Sequence, residues 1–169
     1  MHPYPVSSPF KTDTFQVWPL LMLWTIGIHK QGRTYMGDME AGVVLLLVED
    51  DADMRSLLCD ELSEMGHRIV EAADADEALK YVRDRKPSLI MTDLRMPAGG
   101  MGYVSSLRKS APDVPIILMT AFGDAKTKAE ALGLGVAAYF DKPVRVAALK
   151  QKVEALLIDA RGTRHEDRF

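Results

Sequence analysis

The chain holds 169 residues, 47% hydrophobic and 27% charged. That is one domain on the usual scale of roughly 100–200 residues, and too little for a full-sized barrel enzyme. With 21 Lys and Arg against 24 Asp and Glu, the net charge is −3, which argues against a general nucleic-acid surface and its basic excess. The single cysteine, Cys59, excludes an internal disulfide and a cysteine-based zinc site, and a reducing, cytoplasmic address fits best.

Residues 1–42 stand apart as an N-terminal extension. Positions 1–16 are rich in Pro, Ser and Thr and carry no sustained period. Positions 17–28 (VWPLLMLWTIGI) are apolar and uncharged, yet a membrane-spanning helix needs ~20 such residues, and Pro19 limits any helix to start at or after it. Only Lys11 precedes this run and no small-residue cleavage site follows, so it is also a poor signal peptide. Three readings stay open: translation beginning at Met36 or Met39, an extension packed on the main domain or on a second copy, or a peripheral membrane anchor.

From residue 43 the chain alternates short apolar runs with stretches of helical period. Residues 43–48 (VVLLLV) read as a buried strand. A helix follows over 52–65, with Leu57, Leu58, Leu62 and Met65 on one face and Gly66 as its stop. Residues 68–71 form a short strand, 74–83 a helix, 89–92 a strand and 103–109 a short helix. Residues 114–119 (VPIILM) form the fourth strand, and Asp124 caps a helix through Leu132. The fifth strand is 136–140, the last helix 144–158, and 159–169 a charged, frayed tail. Five strands alternating with five helices imply an α/β, doubly wound parallel sheet covered on both faces. In such a sheet the strand carboxyl ends share one edge, where ligands bind at the switch in strand order.

Those ends carry Glu49, Asp50 and Asp51 after the first strand and Asp93 after the third. Thr120 and Ala121 follow the fourth, and Asp141, Lys142 and Pro143 the fifth. Under a 2-1-3-4-5 strand order, Glu49, Asp50 and Asp93 share one pocket that Thr120 and Lys142 close. Oxygen ligands without His or Cys suit a hard cation such as Mg2+, which pairs readily with phosphate. Three neighbouring carboxylates repel, and a metal or the lysine holds them ionised. The set points to phosphoryl chemistry with one carboxylate as nucleophile. Each residue alone has an ordinary reading: a solvated turn, a helix cap, a loop Lys-Pro, a strand end. Their joint occurrence decides.

Four blocks carry a resemblance: LLLVEDDADMR at 45–55, LIMTDLRMP at 89–97, VPIILMTAFGD at 114–124 and AAYFDKPV at 137–144. In this order, each at a strand end, they resemble the receiver domain of two-component response regulators over 43–158. The resemblance implies the flavodoxin-like receiver fold with sheet order 2-1-3-4-5. It implies that Asp93 is the phosphoacceptor, taking a phosphoryl group from a sensor histidine kinase or histidine phosphotransfer protein. Glu49, Asp50, Asp93 and the backbone carbonyl of Arg95 match the Mg2+ ligands, and Lys142 the lysine on a phosphoryl oxygen. Thr120 and Tyr139 match the switch hydroxyl and aromatic, Ala121 the small residue that leaves room, and Pro143 a cis-proline.

The implied role is a signalling module rather than an enzyme, cytoplasmic and off the membrane, without direct nucleic-acid contact. Phosphorylation is expected to act on a protein target through the face of the fourth helix, fifth strand and fifth helix, edged by Arg145, Lys150 and Lys152; a homodimer is compatible with it. Only eleven residues lie beyond Ile158, so output is expected through protein contacts. A receiver fragment of a larger transcriptional regulator is the alternative. Departures from the family pattern are Glu49 for the commoner Asp and a glycine-heavy stretch after Pro97 that is about one residue short. Arg95 and Phe122 stand where the family gates the attacking water, and they imply slow self-dephosphorylation. Two rivals are weaker. An aspartate-nucleophile phosphatase of the haloacid-dehalogenase type needs an Asp-x-Asp pair, for which Asp51 and Asp53 have only the spacing. A flavin binder needs a phosphate-cradling loop where this chain is acidic.

Overall fold

Short, mostly apolar strands bury both faces in the middle of a covered sheet and carry their exposed charges at its edges. In the computed structural model, which describes residues 42–121 and 123–166, five of them form one sheet. They are β1 (Val44–Val48), β2 (Arg68–Ala72), β3 (Leu89–Asp93), β4 (Ile116–Thr120) and β5 (Ala138–Asp141). The helices between and after them are α1 (Ala52–Ser63), α2 (Ala75–Asp84), α3 (Met101–Ser110), α4 (Ala125–Gly133) and α5 (Val146–Glu166). Every strand pair is parallel and the order is β2-β1-β3-β4-β5, the doubly wound arrangement that the alternation implies. Readings that concern residues 1–41 lie outside the described residues.

The two-residue period of the strands divides the core into two layers. Leu46, Val48, Ile90, Ile116 and Leu118 meet Ala78, Val82, Val104, Leu107 and Ala131 from α2, α3 and α4. Leu45, Leu47, Leu89, Met91, Ile117 and Met119 meet Leu58, Cys59, Leu62, Leu149, Val153 and Leu157 from α1 and α5. Each fully buried aliphatic side chain contributes about 1.5–3 kcal/mol. Three helices start alike: Asp51, Asp74 and Asp124 each accept the amide three residues on, at 2.8, 2.8 and 2.6 Å. Such a cap satisfies one of the four orphan amides of a helix start.

Several sequence expectations shift. Leu57 is 53% exposed: the stripe that α1 buries is centred on Leu58 and Leu62, one turn apart, and Leu57 lies round the cylinder from it. Helix α3 begins at Met101 rather than Tyr103, because the glycine-heavy loop turns back at once. Gly100 has φ +90 and its amide reaches the Leu94 carbonyl at 2.9 Å. A Cβ on Gly99 would stand 2.8 Å from the carbonyls of both Leu94 and Met96. Helix α5 runs to Glu166, so most of the stretch read as a frayed tail is helical. No proline interrupts it.

Candidate functional site

Because β1 and β3 are neighbours, their carboxyl ends deliver acidic side chains to one place. Glu49 follows β1 and continues its pairing, its amide bonding the Ala72 carbonyl at 3.1 Å; its side chain is 1% exposed. Asp50 is the exposed member, and Asp93 is the buried last residue of β3. One oxygen from each of the three carboxylates falls within 4.8 Å of the others.

Lys142 arrives from across the sheet, on the loop after β5. Its Nζ donates to Glu49 Oε2 and to Asp93 Oδ2, both at 2.6 Å. The other Asp93 oxygen, Oδ1, accepts the Arg95 amide at 2.9 Å. Burial raises the Glu49 pKa, and this outweighs the Lys142 hydrogen bond that lowers it. For Lys142 burial favours the neutral amine, but hydrogen bonds to Asp93 and Glu49 together lift its pKa above the ordinary lysine value. Three carboxylates against one ammonium leave a formal charge of −2 in the cluster. Oxygen donors, excess negative charge and one exposed carboxylate fit a hard divalent cation such as Mg2+.

The remaining residues singled out from the sequence lie around this cluster. Thr120, fully buried, ends β4 one position beyond Met119, the register partner of Asp93. Its carbonyl accepts the Lys142 amide at 2.8 Å. Tyr139 pairs in register with Leu118 and packs on the layer that Leu118 shares with α2, α3 and α4. Ala121 is exposed. The Lys142–Pro143 peptide is cis, and Arg95 is exposed in the loop after β3. Asp51 is committed to the α1 cap and Asp53 is exposed in the first turn, so the Asp-x-Asp pair does not enter the cluster. Phe122 lies outside the described residues. Lys150 donates to Glu61 and Glu64 of α1 at 2.8 Å each, so it staples α5 to α1 and does not edge the α4–β5–α5 face.

Two residues escaped the sequence reading. Arg55 donates to the carbonyl of Glu49 at 2.6 Å; side chains lean toward the N-terminus of their helix, and a cation one turn inside α1 was the available signal. Gly123 lies against Tyr139, and no local pattern marks it.

Comparison with known proteins bears on the family and the fold. The family model described as the response regulator receiver domain matches residues 45–154. The "Probable transcriptional regulator ycf27" of Guillardia theta is 36% identical over 121 residues, 71% of this chain and 47% of that protein. This chain therefore spans about half the length of that curated relative. Among solved structures, a CheY-like response regulator receiver domain protein from Methanospirillum hungatei JF-1 has the same fold. Its TM-score is 0.70 at 22% identity, over 73% of this chain and 99% of that one. A response regulator from Burkholderia pseudomallei, solved with a phosphorylated aspartic acid, a calcium ion and citrate, gives a TM-score of 0.62 at 25% identity. That match covers 75% of this chain and 73% of the other.

Proposed function

The chain belongs to the response regulator receiver domain family, and from that membership we propose that Asp93 is its phosphoacceptor. The observation that carries the reading is the Lys142 bridge between Asp93 and Glu49, at 2.6 Å on each side, inside an acidic triplet at the carboxyl edge of the sheet. An Asp93 oxygen attacks the phosphorus of a phosphohistidine on a sensor histidine kinase or histidine phosphotransfer protein. The P–N bond breaks, the imidazole nitrogen keeps the electron pair, and an acyl phosphate forms on Asp93.

Glu49, Asp50, Asp93 and the Arg95 carbonyl are the residues that would hold Mg2+, which when bound supplies positive charge against the phosphoryl oxygens. Lys142 then turns from a carboxylate partner into a phosphoryl partner, a point-charge role that lysine fills well. The Thr120 hydroxyl bonds the phosphoryl group and Tyr139 follows it, shifting a pre-existing equilibrium between two forms. Arg95 and Phe122, beside the acceptor and the switch hydroxyl in sequence, offer no carboxylate or amide to orient a water. The acyl phosphate is therefore long-lived, and a half-life of seconds in pure protein contradicts this.

The role is that of a cytoplasmic signalling module rather than a turnover enzyme, with a protein target or a second copy on the α4–β5–α5 face. One further reading has specific support: this is the receiver portion of a longer transcriptional regulator, since the Guillardia theta relative carries that name and is about twice as long as the matched region. The Burkholderia pseudomallei protein, with its phosphorylated aspartic acid and calcium ion, supports the chemistry at the acidic cluster.

The test is intact-mass spectrometry after incubation with acetyl phosphate, with Mg2+ or with EDTA, on the native chain and on Asp93→Asn. A gain of one phosphoryl group that needs the metal and disappears in the variant is the expected result. A gain retained by Asp93→Asn overturns the assignment.

A further inference from the structure

The Arg55 guanidinium joins the turn after β1 to the side chain of a residue on β2. Its Nη1 donates to the Glu49 carbonyl at 2.6 Å and lies 3.4 Å from the Asp50 carbonyl. Its Nε stands 3.6 Å from Glu71 Oε2 on β2, and the other Glu71 oxygen accepts the Cys59 thiol at 3.3 Å. The side chain is only 20% exposed.

We propose that Arg55 is a positioning residue for the acidic cluster: it holds the backbone of Glu49 and Asp50 so that their carboxylates meet at one cation site. Every other polar group of Glu49 is already fixed, its amide by Ala72 and its carboxylate by Lys142. The carbonyl bond from Arg55 completes the set and extends the restraint to Asp50, the exposed acid with no other anchor of this kind among the described residues. A planar fork suits the task, because one rigid group reaches carbonyls on one side and a carboxylate on the other.

Charge and geometry make opposite predictions here, which makes the proposal decidable. A cation this close to a divalent-metal site repels the metal, so if charge alone mattered, neutralising Arg55 would tighten Mg2+ binding. If Arg55 acts by holding the loop, neutralising it loosens binding, as losing an outer-shell partner commonly does by 10–100-fold.

This inference rests on the Mg2+ site of the proposed function, and the native chain serves as the arm that tests that reading. Mg2+ alone is titrated calorimetrically into the unphosphorylated native chain, Arg55→Met, Arg55→Lys and Glu71→Gln. Urea unfolding of each identifies conditions in which all four are fully folded. Expected is a loss of about 10-fold in Mg2+ affinity for Arg55→Met, a smaller loss for Arg55→Lys, which keeps the charge without the fork, and the smallest for Glu71→Gln. Amide exchange around 49–51 is expected to speed up in Arg55→Met without any metal, a readout that charge repulsion does not move. Affinity equal to or tighter than native in folded Arg55→Met overturns the positioning role. Absence of Mg2+ binding by the native chain overturns the underlying site instead.

Discussion

The Tyr139 hydroxyl occupies the space that a Cβ on residue 123 would need, with Asp141 Oδ1 closing the same space at 2.6 Å. The φ of Gly123 lies outside the left-handed region, so the glycine answers a need for room rather than for backbone freedom. Tyr139 is further held by Lys128, whose Nζ lies 5.8 Å from the ring centroid, within cation–π range. Its phenol is pushed above the ordinary tyrosine pKa by burial, then by Asp141 and Asp124.

Gly123→Ala should therefore force Tyr139 away from the β4–α4 loop, at a cost of about 1–3 kcal/mol typical of overpacking. Urea unfolding of Gly123→Ala, Tyr139→Ala and the double variant checks it. The double variant should be more stable than the two separate losses predict. Additivity within about 0.5 kcal/mol would show that the two residues do not press on each other.

Lys142→Met leaves Glu49, 1% exposed, beside Asp93 with no cation between them. Removing one partner of a buried pair costs about 3–5 kcal/mol. Unfolding in EDTA should show a loss of this order, and Mg2+ should recover part of it by restoring positive charge to the cluster. Native stability in EDTA would contradict the bridging role.

Arg108 ties α3 to two loops at the opposite edge of the sheet. Its Nη1 donates to the carbonyls of Ala111, Pro112 and Val114 at 3.3, 2.8 and 3.0 Å, and Nη2 to Gly135 at 2.6 Å. Burial lowers its pKa, only partly offset by Asp113. Charge-assisted bonds contribute about 1.5–3 kcal/mol each and do not add, so Arg108→Ala should lose about 2–4 kcal/mol in all. Arg108→Lys should recover little of this, since one ammonium cannot reach both loops. Thermal unfolding, with amide exchange at Val114, Val136 and Ala137, reads both effects.

Asp124 provides a pH signature at the start of α4. The Thr127 amide, its strongest influence, holds the carboxyl below its ordinary value of 3.8. A depressed folded pKa means the unfolded chain takes up its proton first. The cap's contribution is therefore complete above about pH 4 and is lost as the pH falls through the folded pKa. Asp124→Asn lacks this dependence. The stability gap between native chain and variant should narrow steadily below pH 4, and a constant gap would remove Asp124 from the account.

Much of the site was legible because each residue stands at a strand end, and strand ends are read from local pattern alone. Glu49 and Asp50 after β1, the lone Asp93 after LIMT and Lys142 after β5 needed only the parallel order to converge. The length of α5 and the exposure of Leu57 were less legible. A helix end is a balance of small effects, and which side of a helix faces the sheet depends on how it docks.

By itself, then, the sequence determined the alternation of buried strands and amphipathic helices, the order of the elements, and the acids and lysine at the sheet's edge. These follow from periodicity and residue chemistry, which act over a few neighbours. Tertiary structure alone decided that Arg55 reaches back to the Glu49 carbonyl, that Lys150 of α5 bonds Glu61 of α1, and that Gly123 makes room for Tyr139. Each joins atoms through a particular docking of one element on another, and the bonds and van der Waals contacts that define it change over a few tenths of an ångström.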